Sequence, residues 1–253
     1  MRIGIFDSGI GGITLLSKAI KLLPDEEYVY YADIDNVPYG TKTKEEILQY
    51  SINAVNFLLS KEVDIVVIGC NTATSVAAQT IRGQVDIPVI GIEPAVKPAV
   101  MNTRDKRILV LATPMTVKEK KLHDLVDRLD DDHRVDMKAL GRLPAFAEQG
   151  RFDDSEVASY IRGELADIET KDYAAVVLGC THFNHFLDVF KTIFSEDTLY
   201  LDGSDGTVRH LFNKVNDMRL SSSGQLKITY YESGRLVESD ERMAFYRMIM
   251  KRI

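Results

Sequence analysis

A chain of 253 residues with a formal net charge of −7 can hold one large or two modest domains, and it is too acidic to suggest a nucleic-acid partner. Its 45% hydrophobic and 27% charged residues exclude a disordered or fibrous protein. Two cysteines without Cys-x-x-Cys spacing, no signal-peptide core and no bilayer-length apolar run set the expectation of a cytoplasmic protein with a reduced thiol pair, no metal, no membrane and a small polar substrate.

In chain order, residues 2–6 form an apolar strand, Asp7-Ser8-Gly9-Ile10-Gly11-Gly12 a glycine-rich turn, and Ile13 to Leu23 a helical pattern. Thr14 stands where a dinucleotide fingerprint needs its last glycine, and no P-loop lysine follows, so the turn matches neither nucleotide-binding motif. Gly11 and Gly12 either make a tight turn or belong to a site; Asp7 and Ser8, polar at a strand end, favour the site. A second strand, Tyr28 to Ala32, runs into the polar loop Asp33 to Gly40. Thr43 and Glu46 have capping-box spacing before the helix Ile47 to Leu59. The strand ending at Cys70, a helix to Ile81 and a strand from Ile87 to Ile92 complete a βαβαβαβ pattern, which implies a parallel sheet with helices on both faces.

The prolines of Glu93-Pro94-Ala95-Val96-Lys97-Pro98 mark a crossover. Beyond it the scheme repeats: strand Arg107 to Leu111, helix Val117 to Leu129, strand Val135 to Leu140, helices Leu143 to Gln149 and Asp154 to Ile168, the strand ending at Cys180, and a strand near Leu199 to Leu201. A helix to Asn216, the loop Ser221-Ser222-Ser223-Gly224, a strand Leu226 to Tyr231 and a helix Asp240 to Ile249 are too few for a third core and should return to the first domain. The expected fold is therefore two pseudo-symmetric α/β domains, each with its own core, with mainly parallel sheets and the active site in the cleft between them. Residues 1–94 with 206–253 would form one domain and 95–205 the other.

The organising feature is the echo between Asp64 to Cys70 and Tyr173 to Cys180, two apolar runs that each end in Gly-Cys, with the cysteines 180 − 70 = 110 residues apart. Ligands of open parallel sheets bind beyond the strands' carboxyl ends, where helix N-termini attract anions. One thiol on each side of a ligand suits a reaction with mirror-related faces, such as inversion at an amino-acid α-carbon, and a thiol with pKa ~8.5 can both take and give a proton. Asp7 and His182 are the groups able to relay protons to Cys70 and Cys180. The competing readings are ordinary: a buried cysteine as a small core residue, Asn71, Thr72 and Thr181 as N-caps, Tyr39 packed beneath its loop. His123, His133, His185 and His210 read as surface residues.

Taken in order, Gly4 to Gly12, Val37-Pro38-Tyr39-Gly40, Cys70-Asn71-Thr72-Ala73-Thr74, Ile87 to Pro94 and Leu178-Gly179-Cys180-Thr181-His182-Phe183 resemble the motifs of the glutamate racemases, cofactor-independent enzymes that supply D-glutamate for bacterial peptidoglycan. The resemblance spans nearly the whole chain. It implies Cys70 and Cys180 as the proton donor/acceptors, Cys70 acting on D-glutamate and Cys180 on L-glutamate, with Asp7 and His182 assisting. It places Asp7, Ser8, Tyr39, Gly40, Asn71, Thr72, Thr181 and His182 on substrate-binding positions, with Pro38 and Glu148 as further candidates. Thr116 joins them through Ala112-Thr113-Pro114-Met115-Thr116-Val117, where the family's Gly-Thr-x-Gly-Thr-Val keeps its threonines and loses its glycines. No cofactor is implied, and family members often form homodimers. The alternatives are an aspartate or related amino-acid racemase, against which His182 argues, a cysteine amidase or hydrolase, which leaves one thiol idle, and a non-catalytic amino-acid-binding module.

Overall fold

The computed structural model describes residues 1–103, 106–218, 220–222 and 224–252. Ser223, in the loop expected at 221–224, lies outside the described residues. The first half comprises β1 (Arg2–Asp7), α1 (Ile13–Leu22), β2 (Glu27–Ala32), a 3₁₀ turn (Tyr39–Thr41), α2 (Lys44–Leu59), β3 (Ile65–Ile68), α3 (Asn71–Arg82) and β4 (Val89–Gly91). Then come α4 (Val96–Asn102), β5 (Arg107–Ala112), α5 (Pro114–Lys118), α6 (Lys120–Leu129), β6 (Val135–Ala139), α7 (Leu143–Glu148), α8 (Ser155–Glu164), β7 (Tyr173–Leu178), α9 (Leu187–Lys191) and β8 (Leu199–Asp202). The chain ends with α10 (Ser204–Met218), β9 (Lys227–Glu232), β10 (Arg235–Leu236) and α11 (Asp240–Lys251). None of the described helices is long and apolar enough to cross a membrane.

The protein is an α/β structure with two related halves. One sheet has the order β10-β9-β2-β1-β3-β4 and the other β6-β5-β7-β8. The segments β2-β1-β3-β4 and β6-β5-β7-β8 have the same order and are parallel throughout; among the described strands only the short β10 is antiparallel. The glycine before each cysteine is held alike: Gly69 N–H donates to the Phe6 carbonyl and Gly179 N–H to the Leu111 carbonyl, both at 2.7 Å. Returning from the C-terminal segment, β9 pairs in parallel with β2 over Lys227 to Glu232.

Side chains two residues apart on a strand share a face, and the cores follow that period. Ile3, Ile5, Tyr28, Tyr30, Ile65 and Val67 face one core, while Phe6, Val29, Tyr31, Val66 and Ile68 face another. Both faces of the sheet are therefore covered, which explains why these strands read as unbroken apolar runs. In the second sheet Ile108, Val110, Ala175 and Val177 line a third core, but Leu109, Leu111, Val176 and Leu178 join the first. This corrects the expectation of a separate core for each half: one core is continuous across both sheets.

Local chemistry sets the helix boundaries. The capping box forms, with Glu46 N–H donating to Thr43 Oγ1 at 3.2 Å and Thr43 N–H to Glu46 Oε2 at 2.8 Å. The helix expected from Val117 to Leu129 is instead two, because Thr113 caps an earlier start with Pro114 in its first turn and Glu119 is extended, φ −74 and ψ 129. The helix expected over 154–168 stops at Glu164. Asp154 caps its start through Val157 N–H. Unforeseen helices and strands are α4, which begins inside the proline-marked crossover, the short α9 and the two-residue β10.

Candidate active site

Both cysteines lie at strand ends and are enclosed, each 6% exposed. Cys70 follows β3 and is itself the N-cap of α3, its Sγ accepting from Ala73 N–H at 3.4 Å. Asn71 and Thr72 are therefore inside the helix rather than its caps, which frees their side chains for other work. Burial and the nearby Asp7 carboxylate push the Cys70 thiol up to about 12, while Ala73 N–H and the Ser8 hydroxyl pull it down. Asp7 ends β1 fully buried; its carboxyl is raised by burial, opposed by His182, Gly9 N–H and Thr181.

Cys180 follows β7 and opens a 3₁₀ turn, Thr181–Phe186, not the α-helix start that the symmetry suggested. His182 bridges two acceptors: its Nδ1 lies 3.8 Å from Cys180 Sγ and its Nε2 2.7 Å from Glu148 Oε1. An imidazole has two ring N–H donors only when protonated. Burial opposes the charge, yet Cys180 and Glu148 outweigh it and hold His182 well above the ordinary histidine range.

The two sets of residues interlock across the halves. Thr181 Oγ1 donates to Asp7 Oδ2 at 3.0 Å, and Ile10 N–H donates to Glu148 Oε1 at 2.7 Å. Thr72, Thr113 and Thr116 place their hydroxyls 3.0 Å from one another in a buried triangle that joins α3 to α5. The glycines of the first turn serve this approach. A Cβ on Gly11 would lie 2.5 Å from Thr181 Oγ1 and 2.7 Å from His182 N, and one on Gly9 would collide with the Glu148 carboxylate. Gly12 is needed within its own half, where a Cβ would lie 2.6 Å from the Asp7 Cβ. A Cβ on Gly40 would come 2.5 Å from Thr113 Cβ, so the loop after β2 also touches the other half through bare backbone.

The structure thus gathers Asp7, Ser8, Cys70, Thr181, His182, Cys180 and Glu148 into one linked group, with Thr72 and Thr116 in the hydroxyl triangle. Asn71 is buried, and its Oδ1 has no hydrogen-bond partner among the described residues. Tyr39 is buried and does pack beneath its loop, its hydroxyl donating to Asp33 Oδ2 at 2.6 Å, while half-buried Pro38 precedes the turn. Sequence reasoning passed over Thr113 as a site residue, although it occupies the strand-end position matching Ser8 when Phe6 and Leu111 are aligned by their glycine contacts. His185 was misread as a surface residue. It is 2% exposed beside Phe152, because the 3₁₀ turn points it inward three residues after His182. His123, His133 and His210 are exposed.

Residues 14–211 match the family model described as Asp/Glu/hydantoin racemase. The glutamate racemase of Halothermothrix orenii is 45% identical over 255 aligned residues, covering 100% of both chains. Among solved structures, glutamate racemase isoform RacE1 from Bacillus anthracis superposes with a TM-score of 0.84 at 26% identity, covering 99% of this chain and 92% of its own. The Escherichia coli glutamate racemase, solved with L-glutamate and the activator UDP-MurNAc-ala, gives a TM-score of 0.77 at 29% identity over 83% of this chain and 80% of its own. The chain belongs to the Asp/Glu/hydantoin racemase family and, within it, to the glutamate racemases.

Proposed function

We propose that this protein interconverts L- and D-glutamate by two-base proton transfer between Cys70 and Cys180, without a cofactor, and so supplies D-glutamate for peptidoglycan in the cytoplasm. The observation that carries the reading is the pairing of two enclosed cysteines at equivalent strand ends, each beside a different proton-handling group, Asp7 at one and the His182–Glu148 pair at the other. With L-glutamate bound, Cys180 as thiolate takes the α-proton, and the Cys70 thiol gives a proton to the opposite face of the resulting carbanion. The product is D-glutamate, and the thiol states are exchanged. The reverse turnover starts from Cys70 as thiolate. The protonated His182, hydrogen-bonded to the Cys180 sulfur, can exchange its proton with that side, as Asp7 can near Cys70.

Asn71 supports the binding part of the reading. A buried amide oxygen without a partner costs about 1–3 kcal/mol, and an ammonium donor would satisfy it. The hydroxyls of Ser8, Thr72, Thr116 and Thr181 and the backbone at Tyr39 and Gly40 are suited to the two carboxylates, with Pro38 shaping that turn. Sheet membership supports reading residues 1–94 with 206–253 as one domain and 95–205 as the other, since β9 joins the first sheet. A homodimer is part of the same family-based reading. The deciding experiment incubates the protein with L-glutamate in deuterated water and follows optical rotation and α-deuterium together. Loss of rotation in step with deuterium uptake is expected; retained rotation, or an activity abolished by a chelator, would overturn the proposal.

A further inference from the structure

The turn assigned above to substrate hangs on a buried carboxylate that the two-base reaction does not use. Asp33 follows β2 directly and is 3% exposed. Its Oδ2 accepts from the Tyr39 hydroxyl at 2.6 Å and its Oδ1 from Ser233 Oγ at 3.0 Å. Asn36 Nδ2 lies 3.1 and 3.0 Å from the two oxygens. The Asp33 N–H donates to the Asp7 carbonyl at 3.0 Å, which ties Asp33 to the strand that ends at the site.

The far end of this arrangement belongs to the returning C-terminal hairpin. Ser233 occupies the β9–β10 turn with φ 45, where its N–H donates to the Ala32 carbonyl at 2.8 Å and its Oγ accepts from Asp35 N–H at 3.0 Å. Arg235 grips Asp35 with two bonds of 2.7 and 2.8 Å. At the near end, the Tyr39 ring packs with Phe6 and Tyr50, centroids 6.2 and 5.9 Å away, and the next residue, Gly40, meets Thr113 of the other half. A buried carboxylate costs more than apolar packing of equal volume unless every lone pair finds a donor. Here it collects donors from the loop and the hairpin, and it fixes the direction of the one side chain that precedes Gly40.

We propose that Asp33, clamped by Ser233, is the positioning residue for the Tyr39-Gly40 turn and sets how tightly glutamate is bound without joining proton transfer. The inference rests on the substrate reading of that turn. It joins the C-terminal hairpin to the site through a chain of three side chains, Ser233 to Asp33 to Tyr39. Disturbing the chain should loosen substrate binding and leave the chemical step largely alone.

The test measures kinetics in both directions, glutamate affinity by calorimetry, and thermal melting for Asp33→Asn, Tyr39→Phe, the double variant and Ser233→Ala. Asp33→Asn should raise KM and Kd about tenfold with kcat changed less than about threefold. Tyr39→Phe should match it, and the double variant should be no worse than either single one, because both break one link. Ser233→Ala should raise KM about twofold to threefold. A folded Asp33→Asn protein with parental KM and Kd, a loss confined to kcat, or additive losses in the double variant would overturn the proposal. If Asp33→Asn fails to fold, Tyr39→Phe and Ser233→Ala decide it by the same KM criterion. A parent that binds glutamate without racemising it would break the functional reading instead, and the calorimetric comparison would still judge Asp33.

Discussion

The two halves share strand order and the way each Gly-Cys corner is pinned, at 2.7 Å in both, yet the surroundings of their cysteines differ. Cys70 caps a twelve-residue α-helix beside a buried carboxylate, and its thiol is pushed up to about 12. Cys180 begins a 3₁₀ turn beside an imidazolium held by Glu148. On the two-base reading proposed above, the backbone is symmetric where the substrate's two faces would require equal reach, and the side chains are asymmetric where protons would be handled. An acid held by burial on one side and a cation held by acceptors on the other can complete the same exchange, since each turnover moves one proton in and one out.

Removing either thiol tests that complementarity with the largest effect. Cys70→Ser and Cys180→Ser should each lower racemisation at least about 10³-fold in both directions, because every turnover needs one base and one acid. Partial reactions should separate the halves. With an analogue that loses a β-leaving group after proton abstraction, Cys70→Ser should still process the L-form and Cys180→Ser the D-form. Equal handling of both forms by either variant, or parental racemisation, would remove the two-base reading.

A milder change, Glu148→Gln, sharpens the comparison because, of the two thiols, only Cys180 has a neighbour, His182, hydrogen-bonded to this carboxylate; the amide oxygen can still accept from Ile10 N–H. Without the carboxylate, His182 loses part of what keeps it protonated. We expect kcat/KM to fall about 10²-fold. The fall must be equal in both directions, since the equilibrium constant between enantiomers is one. The asymmetry belongs in the half-reaction, where L-analogue elimination should drop and D-analogue elimination hold. Because His182 has a raised folded value, its contribution to stability is full below the unfolded value of about 6.5 and is lost as pH rises from there through the raised folded value. The alkaline limb of the rate profile should accordingly move to lower pH in Glu148→Gln. An unmoved limb would show that Glu148 does not govern His182.

Much of this was legible in the sequence, for a definite reason. Strands buried on both faces read as apolar runs, Thr43 and Glu46 announced a helix start, and the repeated Gly-Cys corner pointed to the strand ends that the candidate site occupies. What stayed hidden depends on contacts distant in the chain. Glu148 gains meaning only when α7 brings it to His182, and the shared core follows from alternate residues of β5 and β7 facing the other half. The turn glycines were ambiguous because none of Gly9, Gly11 and Gly12 has a positive φ; what they supply is space, Gly9 for Glu148, Gly11 for Thr181 and Gly12 for Asp7, which no local pattern states.

Gly11→Ala therefore tests the interlock between the halves more gently. The new methyl meets the backbone of His182 as well as Thr181, so the 3₁₀ turn must shift by a few tenths of an ångström or more. Overpacking of this kind costs about 1–3 kcal/mol, and here it falls on the closed arrangement of the site. We expect kcat/KM to drop about tenfold to a hundredfold, with a smaller shift in melting temperature. Parental kinetics in Gly11→Ala would show that the close approach is not needed for turnover.

The smallest effect concerns His185, which shares the second half's 3₁₀ turn with His182 and behaves in the opposite way. Burial, with the charges of His182 and Arg252, pulls it down to about 3, and neither ring nitrogen has a hydrogen-bond partner among the described residues. Above about 6.5 it is neutral in both folded and unfolded chains and contributes nothing to pH dependence. As pH falls below that value the unfolded chain takes up a proton that the folded one refuses, so stability declines by at most about 1.4 kcal/mol per pH unit until the folded value is reached. Between pH 7.5 and 5 the parent should lose about 2 kcal/mol more than His185→Leu in urea unfolding. Asp7, whose raised value acts in the other direction, is present in both proteins and cancels in the difference. Leucine also removes an unsatisfied buried imidazole, so the variant should gain about 1 kcal/mol at pH 7.5. Parallel stability curves for the two proteins over this range would mean that His185 is protonated in the fold, with its nitrogens satisfied.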